Sequence, residues 1–357
     1  MAARYDFASD NVAGAMPEVL GALAGFNSGF AAGYGEDEIC IRASELIRGL
    51  LDVDAEVRFA ASGTAANALT LAALAEPHEA VLAHEHSHLA TDETGAPGFF
   101  GAGMGVIPLA GASGRIDPGA LKKALQAPDQ PHWQSPAALS LTNATEYGAV
   151  YSHDALAELI EPAKSQGLKI HLDGARLANA VAAGFEPSVL GRLGVDVVVL
   201  GGTKAGSTPT EAIVLIDKTL SRRFGARLKH AGQLVSKARF LAAPWIGMLE
   251  DGAWRTRADH ANAMARRLAL ACPLAVTHPV EANAVFVAMD EATLTRLHQS
   301  GWFVYRFIDG SVRFMCSWAT TAESVDELAT ALKAVAESPT PPPPSPAPRS
   351  SPPAARE

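Results

Sequence analysis

Cysteine is nearly absent: 357 residues hold three, Cys40, Cys272 and Cys316, far apart and without a CxxC pair. That excludes a disulfide framework and a structural zinc site, and it suits a reducing compartment, the cytoplasm. Long apolar runs are missing as well. No stretch approaches the ~18 unbroken apolar residues of a membrane span, and the opening MAARYDFASD reaches Asp6 before any apolar run, so neither an anchor nor an export signal is expected. Basic residues are the minority, 29 Lys and Arg against 38 Asp and Glu, and the formal charge of −9 repels phosphate backbones and anionic lipid. Nucleic acid and membrane are therefore not expected as partners. What remains, 48% hydrophobic and 19% charged, is the composition of a chain that buries a large core.

From about Leu46 to Asp217 short apolar or β-branched runs alternate with longer helical stretches, which predicts an α/β domain built on a mostly parallel sheet. Seven strands are expected: Val57–Ala61, Ala80–Ala83, Gly105–Leu109, Ala138–Leu141, Lys169–Leu172, Val195–Leu200 and Glu211–Ile216. Ser62, Asp117-Pro118 and Ser152 read as helix starts. VDVVVL and EAIVLI are almost continuously apolar, as in strands buried on both faces. After Trp254 the rhythm becomes ADHANAMARRLALA, a strand ANAVFVAM, a helix EATLTRLHQ, strands in WFVYRF and SVRFMC, and a helix opened by a capping box Ser324-x-x-Glu327. The expected organisation is an N-terminal arm (1–44), a large domain (45–253), a smaller C-terminal α/β domain (254–337) and a disordered tail (338–357), SPTPPPPSPAPRSSPPAARE, holding nine of the 23 prolines.

The chemistry concentrates between Lys169 and Lys204, where two expected strands end in an aspartate and a lysine 31 positions apart. Asp173 follows IHL and precedes an expected helix starting at Gly174, at the carboxyl end of a strand, where open α/β sheets bind ligands. Lys204, in GGTKAGS, follows a buried strand, where desolvation favours a free amine. A carboxylate for a pyridinium nitrogen and a lysine for an aldehyde are the partners that pyridoxal phosphate requires; read singly, they are a cap aspartate and a solvated lysine. Ser62-Gly63-Thr64, between a strand and the helix TAANALTLAALA, offers free N–H groups and hydroxyls to a dianion, although plain N-capping accounts for it equally well. Thr203 adds a further hydroxyl.

FASDN, GYGEDE, ASGTAAN, HSHLATDETGAP, HLDGARLANA, GGTK and VRF together resemble the L-threonine aldolase family of fold-type-I pyridoxal-phosphate enzymes, particularly its low-specificity bacterial branch, over about Phe7 to Leu332. The resemblance implies pyridoxal phosphate as cofactor and no metal. It implies that Lys204 bonds the cofactor aldehyde, Asp173 holds the pyridine nitrogen, Arg176 lies near the phenolic oxygen and the substrate carboxylate, and Ser62, Gly63 and Thr64 form the phosphate cup. His88 would stack on the ring, with Glu93 five residues behind it. His132, eleven residues before Asn143, would stand near the substrate's β-hydroxyl, so either histidine is a candidate base; His84 and His86 are read as structural or solvated. Ser9 and Arg313 would take the substrate carboxylate, Tyr34 would enter a site at a subunit interface, and Lys229 would approach a neighbouring subunit's phosphate.

The implied reaction cleaves L-threonine, L-allo-threonine or related L-β-hydroxy-α-amino acids such as phenylserine to glycine and an aldehyde, in a homodimer or homotetramer with shared active sites. Other readings on this scaffold are a β-eliminating lyase, a transaminase, a serine hydroxymethyltransferase-like enzyme or a non-catalytic amino-acid sensor. Two departures stand out: Ala205 after the lysine, where relatives often carry asparagine, and the turn ATEYGA, which differs in length from some relatives and bears on the choice of aldehyde.

Overall fold

The computed structural model describes residues 3–128 and 130–337. The tail called disordered from its composition lies outside the described residues.

The expected strands all join one sheet: β1 (Glu56–Ala60), β2 (Glu79–His84), β3 (Gly105–Leu109), β4 (Ser135–Thr142), β5 (Lys169–Gly174), β6 (Val197–Gly201) and β7 (Glu211–Leu215), in the order β1-β7-β6-β5-β4-β2-β3. β7 runs against both its neighbours, whereas β6, β5, β4, β2 and β3 run parallel. Every strand but β7 therefore ends on one edge, and β7 begins there.

Side-chain alternation divides the apolar residues between two helical layers. Ile170, Leu172, Val198 and Leu200 face a core that includes Ile47, Leu156 and Trp245. Val197, Val199, Ile213 and Leu215 face Ala66, Leu69 and Phe224. Burial on both faces is why VDVVVL and EAIVLI show no polar alternation. Helix starts follow the cap chemistry: Ser62, Asp117 and Ser152 accept the N–H groups of Ala65, Ala120 and Ala155, an interaction worth about 1 kcal/mol each.

A second, antiparallel sheet comprises β8 (Ala284–Val287), β9 (Tyr305–Arg306) and β10 (Val312–Met315), ordered β8-β10-β9. The helices Ala253–Ala271, Glu291–Gln299 and Ala322–Glu337 pack around it. The N-terminal segment joins this unit: Phe7 is buried in its core, and the Met315 N–H donates to the Phe7 carbonyl at 2.9 Å.

Several local expectations shift. Gly174 closes β5, and the next helix starts only at Leu177, because the Asp173 carboxylate turns the chain by accepting the Ala175 N–H. Of WFVYRF only Tyr305–Arg306 is strand, while Trp302 instead bridges to Arg4. The last helix starts at Ala322. Its capping box is Thr321 with Ser324, each hydroxyl accepting the other's N–H, so Ser324 lies inside the first turn. The long helix of the second unit begins at Ala253, ahead of ADHANAMARRLALA.

Candidate active site

The common edge gathers the residues that follow β1, β2, β4, β5 and β6. A cavity of about 340 Å³ opens there, lined by Ser62, Gly63 and Thr64 after β1, His88 beyond β2, Asp173 on β5, and Thr203 and Lys204 after β6. Gly201 and Gly202 allow the chain to reach Lys204: an added Cβ would stand 2.3 Å from the Ala175 carbonyl oxygen at the first and 2.5 Å from that of Thr210 at the second. Only a residue without a side chain fits either place.

Asp173 and His171 point to the layer that carries helix Gly63–Leu74. From that helix the Asn67 amide donates both its hydrogens, one to Asp173 Oδ2 and one to Glu93 Oε1, each at 2.9 Å. Glu93 Oε1 also lies 2.9 Å from His88 Nδ1. A continuous chain, Asp173–Asn67–Glu93–His88, thus fixes the orientation of the carboxylate and the imidazole. Burial works against the Asp173 charge, but Lys204, His171 and the Ala175 N–H outweigh it and hold the carboxyl below its usual range.

The hydrogen bond to Glu93 raises the His88 proton affinity against the cost of burial. Glu93→Gln removes that support, and the activity limb governed by His88 deprotonation is expected to move to lower pH. A pH–rate profile unchanged in position would show that His88 does not titrate in turnover.

Lys204 makes no hydrogen bond or ion pair among the described residues. Burial first, and then the charge of Arg176, lower its proton affinity. The first N–H groups of helix Gly63–Leu74 have no partner within the helix, and an added Cβ at Gly63 meets no protein atom within 4 Å, so the space beside them is open. Amine, carboxylate and helix N-terminus converge on one cavity. No cluster of three or more metal-ligating side chains occurs among the described residues.

Residues 6–292 match the beta-eliminating lyase family. The chain is 44% identical over 336 residues to the low-specificity L-threonine aldolase of Pseudomonas aeruginosa, across 92% of this chain and 97% of that one. It belongs to the beta-eliminating lyase family, among the low-specificity L-threonine aldolases. A yeast low-specificity L-threonine aldolase is 23% identical over 299 residues, 82% of this chain and 76% of its own. The solved threonine aldolase of Leishmania major superposes with a TM-score of 0.87 at 28% identity, covering 93% of this chain and 99% of that one. An alanine–glyoxylate aminotransferase from Nostoc shares the fold, with a TM-score of 0.67 at 18% identity over 94% of this chain and 96% of its own. The architecture is that of fold-type-I pyridoxal-phosphate enzymes.

For a member of this family the remaining candidates are placed unevenly. Arg176 is buried, its Nε and Nη2 donating to the two carboxylate oxygens of Asp10 at 2.7 and 3.0 Å. Asp10 therefore takes the Nε–Nη2 edge, while Nη1 donates no hydrogen bond among the described residues. Arg313 is the opposite case: half-buried on β10, with the guanidinium 5.2 Å above the Phe307 ring, it donates no hydrogen bond among the described residues, and its Nε is buried without a partner. An arginine left so open is a ready site for an anion. Ser9 Oγ accepts the Asn11 N–H at 3.1 Å, and Asn11 itself lines the cavity.

Tyr34 is half exposed on the arm, at a positive φ of 62°, with Lys229 Nζ 5.0 Å from its ring centroid. Neither residue lines the cavity. His132 is not brought to this cavity in the same chain. It sits on an exposed turn before β4, and a residue that precedes a parallel strand lies at the opposite edge, about 25 Å away at ~3.3 Å per residue. His84 Nε2 bonds the Gly111 carbonyl and His86 Nδ1 the Tyr147 hydroxyl, both supporting loops. Reading the sequence missed Asp10, Asn67, Asn283 and Glu211. Asp10 stands inside FASDN and Asn67 inside ASGTAAN, but the partners of both lie far along the chain.

Proposed function

We propose that this chain is an aldehyde-lyase that cleaves L-threonine, L-allo-threonine and related L-β-hydroxy-α-amino acids to glycine and an aldehyde, with pyridoxal phosphate as cofactor. The observation that carries this reading is the convergence of Lys204, Asp173 and the Ser62–Thr64 helix start on one cavity, in a chain so similar to low-specificity L-threonine aldolases. Lys204 would bond the cofactor aldehyde, Asp173 would hold the pyridine nitrogen protonated, Ser62, Gly63, Thr64 and Thr203 would bind the phosphate, and His88 would cover the ring. When bound, the cofactor supplies an electron sink for the pair released as the Cα–Cβ bond breaks.

The chain's own residues choose the bond and manage protons. Arg313, with its fork unspent, grips the substrate carboxylate together with Ser9 and sets the orientation at Cα. Arg176, held by Asp10, supplies fixed positive charge beside Lys204. His88, oriented through Glu93, stands as the base for the β-hydroxyl. His132 could act only on the cavity of a second copy, and we place Tyr34 and Lys229 in the same group. Phe30, Leu20 and Ile41 leave apolar surface exposed on the arm, consistent with a homo-oligomer that shares its sites.

Among the described residues no helix is long and apolar enough to cross a membrane, and Cys40, Cys272 and Cys316 are all unpaired, which suits a cytoplasmic enzyme. Incubation of the cofactor-loaded protein with each diastereomer of threonine and phenylserine should release glycine and acetaldehyde or benzaldehyde in equal amounts. A keto acid in place of the aldehyde would instead assign elimination or transamination.

A further inference from the structure

Glu211 has no part in the roles above, yet it lines the same cavity as Lys204, Asp173 and Ser62. It opens β7, opposite Ala60 of β1 and Gly201 of β6. Its Oε2 accepts the Gly202 N–H at 3.0 Å, and the nearby Thr203 hydroxyl, which accepts the Thr210 N–H, favours the ionised form of the carboxyl. The carboxyl group therefore ties down the turn two residues before Lys204.

Tethering alone needs no charge, because the carbonyl oxygen of a glutamine would accept the Gly202 N–H equally well. The surroundings give the charge a purpose. Lys204 faces Glu211 from the turn and Asp173 faces it from β5. From the other elements, His88 also lines the cavity, Arg176 beyond β5 and Asp10 of the N-terminal segment act on Lys204, helix Gly63–Leu74 contributes the neutral Thr64 and Asn67, and the Ala61 N–H just after β1 is taken by Gln233 Oε1 at 2.9 Å. Of these charges, Lys204 is the one that acts most strongly on Glu211, and Glu211 in turn raises the proton affinity of Lys204, after Asp10 and Asp173.

We infer that Glu211 is a positioning residue for Lys204: it fixes the turn that presents the amine and, by gaining or losing its own proton, shifts how readily that amine gives up its proton. This rests on reading Lys204 as the residue that bonds the cofactor. When Glu211 is ionised it favours the ammonium; when it is neutral the amine is released at lower pH. Burial pushes the carboxyl up to about 7, opposed by the Thr203 hydroxyl and the Gly202 N–H, so the change of charge falls in the neutral range.

Glu211→Gln keeps the tether and removes the titration. The first measurement uses the cofactor-free protein. A carboxyl protonated more readily in the folded than in the unfolded chain contributes stability that is lost as pH rises through about 7. The wild-type melting temperature should therefore fall relative to E211Q between pH 5 and 8.

The second measurement follows capture of added pyridoxal phosphate by visible absorbance. The pH of half-maximal capture rate should be lower in E211Q by at least about half a unit, roughly the effect of one charge a few ångströms away even at the dielectric constant of water. A purely structural role would lower the rate at every pH and leave the midpoint in place, and coincident midpoints overturn the inference. Wild-type protein that takes up no pyridoxal phosphate overturns the reading of Lys204 as well, so the two failures are distinguishable. Should E211Q not fold, Thr203→Val removes a hydroxyl that favours the ionised carboxyl; because that hydroxyl is also placed at the phosphate, the rate should fall at every pH and only the midpoint is read, which should move in the same direction, an unmoved midpoint again refuting the inference.

Discussion

Lys204→Ala is expected to give a folded protein without visible absorbance and without detectable turnover of β-hydroxy amino acids. The argument rests on what the position supplies. The turn after β6 presents the amine at the sheet edge, burial and the Arg176 charge favour its neutral form, and no hydrogen bond holds it elsewhere among the described residues. Removing a proton-transfer group costs typically ~10²–10⁴-fold. Removing the amine proposed to bond the cofactor should exceed that, because neither water nor a neighbouring side chain supplies a second amine in this cavity. Borohydride reduction followed by peptide mass analysis checks the same claim: wild-type protein should carry the cofactor mass on the peptide containing Lys204, and K204A should carry none. A yellow K204A protein with wild-type turnover would remove Lys204 from the chemistry.

Much of this site could be read along the chain because a parallel sheet converts sequence position into spatial position. Asp173 and Lys204 each follow a run buried on both faces, so each had to emerge at the carboxyl edge. Ser62 was legible as a cap for the same reason, since it follows β1 after the single residue Ala61. The rule also applies to His132, which precedes β4 and therefore belongs to the far edge; a fixed offset from Asn143 carries no information about which edge that is.

What stayed hidden is made of long-range polar contacts. Asn67 lies on an alanine-rich helix that reads as pure core, and its function appears only when Asp173 and Glu93 come within reach of its amide. Glu211 opens a strand with an otherwise apolar pattern, and only the antiparallel course of β7 brings it to the active edge. Overlapping signals mislead too. At the last helix, T-x-x-S and S-x-x-E both read as boxes, and the reciprocal bonds select the earlier one.

Asp10→Ala is expected to destabilise the fold by about 3–5 kcal/mol, the cost of leaving one member of a buried ion pair without its partner. Asp10 is wholly buried, bonded in bidentate fashion to Arg176 beyond β5 and also accepting from the Asn283 amide at 3.2 Å. Asn283 in turn donates to the Cys316 carbonyl, so a single carboxylate links the N-terminal segment, the large sheet and the small sheet. Burial opposes the Asp10 charge, but Arg176 outweighs it and holds the carboxyl below its usual 3.8, so its stabilising contribution is full above that pH and is lost as pH falls through the depressed value. The deficit of D10A measured by urea unfolding should therefore be large at pH 7 and shrink in strong acid. Combining Asp10→Leu with Arg176→Met should recover most of the stability at pH 7, because apolar groups of similar size need no compensating charge, yet it should not recover activity, since the fixed charge beside Lys204 is gone. If D10A matched wild type in urea at pH 7, the pair would be a passenger in the fold, and the N-terminal segment would have to be held by Phe7 and its backbone bonds alone.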